Sequence, residues 1–486
     1  MPWENLLNRD LLNRDLLNYD LAGEIMLFGR KKELAELENI YNSSSFEFVA
    51  VYGRRRVGKS ALIGHFAKDK RTVFFTAIEA DGKRNLMLFS QAVLKCAGVL
   101  AEASFENWES AFEYVKNMAN KRLILVIDEY PYLAQAEKSM SSILQKYCDI
   151  AFKNTRLMII LCGSSMSFME NQVLGYKSPL YGTRTAQMKI EPLDYLDSAK
   201  FVPKYSLEHK AIVFGLSGGI PKYLELFDDS IPLRKNIIRN FFSTSGYLYE
   251  EPSNLLKQEL REPQKYNSII EAIATGASKL NDIATKTGLE SSATSVYISS
   301  LISLGIVNKE SAITEETNKR KTLYSLADTM FLFWYRHVFG NQFSVISGNA
   351  ESFYDMEINS GLQQFMGYIF EKICREYLKI QNSLNKLPFP LTQIGWWRGT
   401  NQQTKSEAEI DIVGINKKQN SVLLCECKFR NAKTDLAVLK DLQDKSFHFA
   451  DYANKHFMLF SKSEFTSSLR QHKSNNVHLV GISSVY

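Results

Sequence analysis

The segment from Gly53 to Ser60 has the residue types and the spacing of a phosphate-binding loop. It reads GRRRVGKS and fits the pattern GxxxxGK[ST], between an apolar run and a helical pattern that starts at Ala61. Gly53 and Gly58 permit the tight backbone path whose N–H groups point at phosphates, and the following helix adds the positive end of its dipole. Lys59 is expected to reach the β and γ phosphates, and Ser60 to ligate Mg²⁺. The other residues expected to contact the nucleotide are Arg54, Arg55, Arg56, Val57 and Ala61.

A second element of the same chemistry is the apolar run Leu123 to Ile127, which is followed by Asp128 and Glu129. A carboxylate at the end of a strand beside a phosphate loop can hold the water shell of the magnesium ion, and the next carboxylate can orient the attacking water. Asp128 is expected to take the first role and Glu129 the second. The complete acidic pair favours hydrolysis of the nucleotide over binding alone.

Two further positions have two interpretations each. Ser164, after the apolar run Leu157 to Cys162, is either a hydroxyl that senses the γ phosphate or the N-cap of a helix. Arg184, in the segment YGTRT, is either a guanidinium that stabilises the transition state, in cis or across the subunits of a homo-oligomer, or a surface arginine. The residues alone leave both alternatives open.

A second group of acidic residues lies near the end of the chain. Glu409 and Asp411 share one face of a predicted strand, and Glu426 and Lys428 share one face of the next, because side chains alternate with a period of two. Two acids and a lysine that converge in this way can bind one or two Mg²⁺ ions, activate a water for attack on a phosphodiester and steady developing negative charge. Glu371, on an upstream helical pattern, is a further candidate metal ligand. The alternative is an exposed hairpin whose charges only solvate it.

The elements that must position the first group of residues predict an α/β domain. Apolar runs without polar alternation, separated by segments of helix length, indicate strands that are buried on both faces of a parallel sheet. After Pro192 the pattern is mainly helical to about residue 260, which predicts a helical lid. The predicted strands are Phe46 to Tyr52, Thr72 to Thr76, Leu123 to Ile127 and Leu157 to Cys162.

Residues 265 to 325 predict a winged helix-turn-helix. Its second and third helices would be Lys279 to Thr287 and Ser291 to Leu304, with a turn at Gly288 and a hairpin over Val307 to Tyr324. Such a wing either touches DNA phosphates or serves as a plain packing module. An aromatic helix over 326–339 is expected to be core, and a Gly, Asn and Ser cluster at 340–350 predicts a linker. The basic tip of the hairpin contains Asn318, Lys319, Arg320 and Lys321.

The positive charge is concentrated in the last quarter of the chain. Residues 361–486 hold 17 basic and 11 acidic residues, which accounts for the whole net charge of +6. This excess suits a nucleic-acid partner, and it equally suits a merely soluble surface. The apolar runs are too short to span a bilayer and the N-terminus does not read as a signal peptide, so we expect a cytoplasmic protein without a membrane partner.

Several segments together resemble the archaeal-type AAA+ ATPase family over residues 25–340. They are FGR at 28–30, GRRRVGKS, VIDEYPYL, CGSSMSFM, SPLYGTRT and GGIPKYL. The resemblance implies Mg-ATP hydrolysis, a winged helix after the lid, and adenine contact by Phe28, Gly29 and Arg30 and by Pro221 of the lid motif. The chain differs from the family at Thr183, since the family usually reads Gly-Arg where this sequence has GTR.

The C-terminal acids resemble the PD-(D/E)xK restriction-endonuclease-like fold over residues 361–486. Asp411, fourteen intervening residues and then Glu426 and Lys428 match its spacing, with Ile410 in the place of the proline. The resemblance implies that Asp411, Glu426 and Lys428 are catalytic, with Asp411 and Glu426 as metal ligands. Glu371 stays a candidate ligand from its place on the upstream helical pattern.

The sequence thus predicts an α/β P-loop NTPase (AAA+-like) with a parallel sheet, a helical lid, a winged helix-turn-helix domain and a C-terminal α/β restriction-endonuclease-like domain. The expected function is Mg-dependent hydrolysis of ATP coupled to a nuclease-like domain that acts on DNA or RNA. The alternatives are a regulatory ATPase with an inactive nuclease-like domain, and an oligomeric ATP-bound scaffold. The predicted boundaries are 1–24 for a disordered or weakly helical repeat, 25–195 for the ATPase core, 196–262 for the lid, 263–340 for the winged helix, 341–360 for a linker and 361–486 for the nuclease-like domain.

Overall fold

The computed structural model of the protein describes residues 27–99, 103–313, 322–400, 407–472 and 474–486. The N-terminal repeat predicted over 1–24 and the basic hairpin tip at 318–321 lie outside these ranges. Within them, no helix combines the length and the apolar composition needed to cross a membrane. The described residues form two compact units. The first unit consists of the described residues up to Gly53 and of residues 58–164 and 168–190. The second unit consists of residues 54–57, 165–167 and 191–486.

The first unit is built on a five-stranded sheet in the order β2-β3-β4-β1-β5 with every pair parallel, as predicted. Each residue of β3 and β4 is buried, which is why these runs lack polar alternation. The four-residue strand β5, which buries only Met188, was not predicted from the sequence. The strands are β1 Glu47–Tyr52, β2 Thr72–Thr76, β3 Leu123–Asp128, β4 Leu157–Gly163 and β5 Ala186–Lys189.

Helices cover this sheet and connect its strands, as parallel pairing requires. Side-chain caps fix two of their starts: Asp81 accepts from the N–H of Arg84 at 2.7 Å, and Asn107 and Ser110 form a capping box. Tyr147–Ala151 and Met169–Val173 are π-helical turns. The helices are α1 Lys31–Asn42, α2 Lys59–Ala67, α3 Gly82–Cys96, α4 Trp108–Met118, α5 Tyr130–Ala136, α6 Met140–Lys146 and α7 Met166–Phe168.

The second unit begins with the short helices expected of the predicted lid segment. The hydroxyl of Ser206 caps one of them by accepting from the N–H of His209 at 3.2 Å, and Gly218 ends it in a left-handed conformation with φ +61°. These helices are α8 Tyr195–Ala199, α9 Leu207–Ser217, α10 Pro221–Leu224, α11 Leu233–Phe241 and α12 Glu251–Glu259.

Three helices and a hairpin then follow in the predicted order. The helices are α13 Pro263–Ala274, α14 Leu280–Thr287 and α15 Ser291–Ser303, and Gly288 lies between the last two with φ +69°. The antiparallel strands β6 Val307–Glu310 and β7 Leu323–Leu326 form the hairpin. In the next helix, α16 Thr329–His337, every residue over 329–335 is buried, so its aromatic residues are core as predicted.

The segment predicted as a linker at 341–360 is helical instead. It holds α17 Gln342–Ile346, α18 Ala350–Phe353 and a π-helical turn at Tyr354–Ile358. The side chains of Phe353, Tyr354 and Ile358 are buried. Burial of these apolar side chains offsets the poor helix propensity of the Gly, Asn and Ser residues around them.

The C-terminal part of the second unit has a five-stranded mixed sheet in the order β12-β11-β10-β9-β8. The pairs β8·β9 and β9·β10 are antiparallel, and β10·β11 and β11·β12 are parallel. The two predicted strands are confirmed as β9 and β10, and the predicted helix is part of the 25-residue α19. The elements are α19 Asn359–Ser383, β8 Gln393–Thr400, β9 Glu407–Asn416, β10 Ser421–Lys428, α20 Leu436–Lys445, β11 Asn454–Ser461, α21 Ser467–Arg470, β12 Val477–Gly481 and α22 Ile482–Val485.

Candidate functional site

The loop from Gly53 to Ser60 joins the C-terminal end of β1 to the N-terminus of α2. Gly53 has φ +154°, and a Cβ at this position would lie 2.4 Å from the carbonyl oxygen of Ile190, so only glycine fits. Gly58 has φ +89° and precedes the first helical residue, Lys59. The ammonium of Lys59 is buried and donates to the carbonyl oxygen of Gly53 at 2.9 Å. The loop therefore holds its lysine inside the cradle that the sequence predicts for phosphates.

The predicted magnesium ligands Ser60 and Asp128 meet at the edge of the sheet. The Ser60 hydroxyl donates to Oδ2 of Asp128 at 2.7 Å, and the N–H of Glu129 donates to Oδ1 at 3.0 Å. Asp128 is 4% exposed and ends β3, which pairs with β4, the neighbour of β1. Mg²⁺ prefers hard oxygen ligands, and the Ser60 hydroxyl and the Asp128 carboxylate place two such oxygens side by side. These residues therefore fit the expected magnesium ion.

Glu129 has a left-handed backbone, with φ +51° and ψ +44°, immediately before α5. Ser164, at the end of β4, holds the Glu129 carboxylate: its hydroxyl donates to Oε2 at 2.9 Å and its N–H at 3.4 Å. A non-glycine residue in this region is strained and is frequent at functional sites. The sequence left Ser164 as either a γ-phosphate sensor or a helix N-cap and did not predict its contact with Glu129, because only the pairing of neighbouring strand ends brings the two together.

The other sequence-predicted residues of the nucleotide site have local partners. The guanidinium of Arg184 donates to the carbonyl oxygen of Leu174 at 3.2 Å and stacks over the ring of Tyr181, with 5.5 Å to the ring centroid. Arg30 is buried and paired with Glu33 at 3.0 Å, and Pro221 is the first residue of α10. The adenine and transition-state roles of these residues stay predictions.

The acidic residues of the C-terminal domain lie on adjacent strands, as predicted. Asp411 on β9 accepts from the N–H of Cys427 at 2.8 Å, and Lys428 donates to Oε1 of Glu426 at 2.5 Å. Glu426 is 6% exposed, and the ammonium of Lys445 on α20 lies 3.7 Å from its Oε2. Lys445 was missed by sequence reasoning, because nothing in the sequence distinguishes it from other helix lysines. Two lysines thus balance the charge of a buried glutamate.

Burial and mutual repulsion change the protonation of this acidic cluster. Burial and the negative charges of Asp411 and Glu409 raise the pKa of Glu371, on α19, to about 8. Burial and the charge of Glu426 raise the pKa of Asp411 to about 6. Both carboxyl groups therefore bind a proton more readily than an ordinary glutamate or aspartate does. Perturbed carboxylates of this kind are common in functional sites.

The expected three-carboxylate metal set of Glu371, Asp411 and Glu426 is not assembled. Within the described ranges, no three His, Cys, Asp or Glu side chains come close enough to hold a metal ion. The carboxylate of Glu426 is instead paired with the ammonium of Lys428. Mg²⁺ is often bound by one or two carboxylates together with substrate phosphates. Asp411 and Glu426 are the pair that fits such a site.

Comparisons with known proteins agree with the N-terminal site. A family model described as an ATPase domain predominantly from Archaea matches residues 27–227, and a model of archaeal and bacterial proteins of unknown function matches residues 334–439. Among solved structures, the Walker-type ATPase of Pyrococcus abyssi aligns with a TM-score of 0.50 at 19% identity, covering 64% of this chain and 96% of its own. That likeness shows a shared fold.

Two curated relatives come from Methanocaldococcus jannaschii. An ATP-binding protein is 43% identical over 51 residues, which are 10% of this chain and 86% of the relative. Another protein, described as uncharacterized, is 34% identical over 426 residues, which are 87% of this chain and 92% of the relative. Similarity at this level over nearly the full length, together with the ATPase model, identifies the family. The chain belongs to the ATPase family found predominantly in Archaea.

Proposed function

We propose that this protein is a Mg-dependent ATPase that controls a C-terminal domain acting on the phosphodiester bonds of nucleic acid. The observation that carries the proposal is that Asp411 lies on β9 beside β10, where the ammonium of Lys428 donates to the buried carboxylate of Glu426. A buried acidic cluster of this kind has little structural value, because ionised carboxylates are costly to bury unless they serve a ligand or a reaction.

The ATPase half of the proposal assigns a task to each residue of the N-terminal site. The N–H groups of the loop and the ammonium of Lys59 bind the phosphates, and Ser60 and Asp128 would hold Mg²⁺. The bound cation supplies positive charge that offsets the charge of the phosphate oxygens. Glu129, oriented by Ser164, positions the attacking water.

The C-terminal half assigns complementary tasks. Asp411 and Glu426 would hold a divalent cation, which supplies charge to a phosphate group. Lys428, already at 2.5 Å from Glu426, stabilises negative charge that develops on the phosphate. Glu371, whose pKa is raised by burial and by the neighbouring carboxylates, is the group assigned to donate a proton to a leaving oxygen. The excess of basic residues in 361–486 supports a nucleic-acid partner.

To test the proposal, the purified full chain is incubated with ATP and with Mg²⁺ or Mn²⁺. The substrates are a panel of linear, nicked, branched and single-stranded DNA and RNA. We expect phosphate release that Lys59→Ala and Glu129→Gln abolish, and metal-dependent cleavage that Asp411→Ala and Lys428→Ala abolish. Cleavage that persists in both of the latter variants would exclude this cluster as the reactive site.

A second candidate is a regulatory ATPase whose C-terminal domain binds nucleic acid or a protein without cutting. The pairing of Glu426 with Lys428, and the lack of three gathered metal-binding side chains within the described residues, favour it. It predicts ATP hydrolysis by the wild-type protein with no cleavage of any substrate on the panel. A homo-oligomeric scaffold without turnover would bind ATP and release no phosphate.

A further inference from the structure

The three consecutive arginines of the phosphate-binding loop have partners that the loop pattern does not require. Arg54 is paired with Asp328, Arg55 with Glu259 at 2.7 Å, and Arg56 with Glu251. The pattern GxxxxGK[ST] leaves the residue types at these positions open. All three pairs lie within the second compact unit, to which residues 54–57 belong.

The carboxylates of these pairs are buried, and this fixes the arginines. The side chains of Asp328, Glu259 and Glu251 are 1%, 7% and 3% exposed. A buried carboxylate without its counter-charge is strongly destabilising, so each guanidinium is held where its partner lies. The backbone of the loop tip is thereby anchored through its side chains at three successive residues.

Arg56 is the residue where this anchoring matters most. Its backbone has φ +68°, in the left-handed region that residues with a Cβ rarely adopt. The oxygen Oε1 of Glu251 binds Arg56 and also accepts from the hydroxyl of Tyr223 at 2.5 Å. The guanidinium also lies over the ring of Tyr247, with 5.4 Å to the centroid. Several contacts therefore converge on the side chain of a strained residue.

We propose that Glu251 is a positioning residue for the phosphate-binding loop, which holds Arg56 in its left-handed conformation and so preorganises the loop N–H groups for a triphosphate. The strain at Arg56 is offset by its ion pair with Glu251. Without that pair the loop relaxes toward ordinary dihedral angles, and its N–H groups turn away from one centre. This inference rests on the proposed binding of ATP.

Substituting glycine for Arg56 distinguishes positioning of the loop by Glu251 from a general contribution of Glu251 to stability. Glycine adopts positive φ without strain, so Arg56→Gly removes the need for an anchor, whereas Arg56→Ala removes the side chain and keeps the strain. We expect Glu251→Ala to raise the Kd for ATP by about 5- to 30-fold, the ratio that corresponds to one residue's left-handed strain. The double variant of Glu251→Ala with Arg56→Gly should bind ATP more tightly than the matched double variant with Arg56→Ala, since both lack the guanidinium and only the second keeps the strain.

The measurements use the full chain, with binding followed by titration of a fluorescent ATP analogue and folding checked by circular dichroism. Hydrogen exchange of the amides at 54–58, measured without nucleotide, reports directly how firmly the loop backbone is held. Exchange should be faster in Glu251→Ala than in wild type, and slow again in the double variant that adds Arg56→Gly. Equal exchange in the two double variants would overturn the inference. A wild-type protein that does not bind ATP would contradict the proposed function instead, and the exchange result would still decide the role of Glu251.

Discussion

In the N-terminal site, hydrogen bonds from serine hydroxyl groups orient the acidic side chains. The carboxylate of Glu129 is oriented by Ser164, and that of Asp128 by Ser60. Hydrogen bonds to charged groups are stronger than those between neutral groups. The serines are therefore expected to affect turnover more than folding.

Replacing Ser164 by alanine should lower kcat for ATP hydrolysis. The change frees the Glu129 carboxylate from its hydroxyl partner, and the loss of such a bond corresponds to about a 10-fold effect. Affinity for ATP should change little, because Ser164 contacts the glutamate rather than the loop. The matched control is Ser165→Ala, and equal kcat values for the two variants would contradict the prediction. Steady-state phosphate release measures both.

Replacing Glu371 by glutamine should reduce the pH dependence of stability. The pKa of Glu371 is about 8 in the folded protein, above its ordinary value of 4.5, so the folded state binds more protons than the unfolded state between these values. Wild-type stability should fall as the pH rises through this interval. We expect Glu371→Gln to melt a few degrees higher than wild type, about 2–4 °C, at pH 8 and to differ less at pH 5. Calorimetry at the two pH values measures this, and parallel pH profiles would disprove it.

The structural elements were predicted best where local pattern determines them. The buried runs of β1 to β4 were predicted within one residue at every end, because strands covered on both faces need continuous apolar residues. The strand β5 and the helices at 342–358 were missed, since each is stabilised by packing against distant residues. Local propensity carries no record of such contacts.

The candidate sites follow the same division. The phosphate-binding loop, the acidic pair after β3 and the acidic residues of β9 and β10 could be predicted, because each is recognised by residues a short distance apart in the sequence. The partners of the loop arginines lie about 200 to 270 residues away in the chain, as with Arg55 and Glu259 or Arg54 and Asp328. No periodicity connects residues at that separation, so only the folded chain reveals the pairing.

Asp328 should matter more for stability than an ordinary helix cap. It accepts from the N–H of Phe331 at 3.1 Å at the start of α16 and is also paired with Arg54. Loss of a cap costs about 1 kcal/mol, and breaking a buried ion pair costs about 3–5 kcal/mol. Asp328→Ala should therefore lower the free energy of unfolding by roughly 3–5 kcal/mol in urea titrations. The control is Asp435→Ala, which removes only a cap on α20; similar losses in both would contradict the prediction.

At the scale of the whole molecule, charge is distributed unevenly along the chain. The first 360 residues are neutral overall and the remainder carries the net charge of +6. Contacts between basic side chains and phosphates release counterions, so binding that uses them depends on salt. The basic excess of the last quarter of the chain should therefore make binding of nucleic acid sensitive to salt.

Binding of DNA by the full chain should weaken as salt is raised. For a few phosphate contacts we expect the Kd to rise about 10- to 100-fold between 50 and 200 mM salt. Fluorescence anisotropy with a labelled oligonucleotide at constant Mg²⁺ measures the slope. The affinity for a labelled ATP analogue over the same salt range serves as the comparison. Binding without salt dependence would show that the basic excess takes no part.

The buried arginine pairs of the loop tip also determine how the protein responds to heat. The hydration of charged groups becomes less favourable as temperature rises, so removing these three carboxylates from water costs less in a hot environment than in a cool one. Stabilisation per area of apolar surface levels off over the same interval. Warming therefore favours the loop conformation that the ion pairs hold. The protein should keep its affinity for nucleotide at temperatures where a loop held by apolar contacts alone would become mobile.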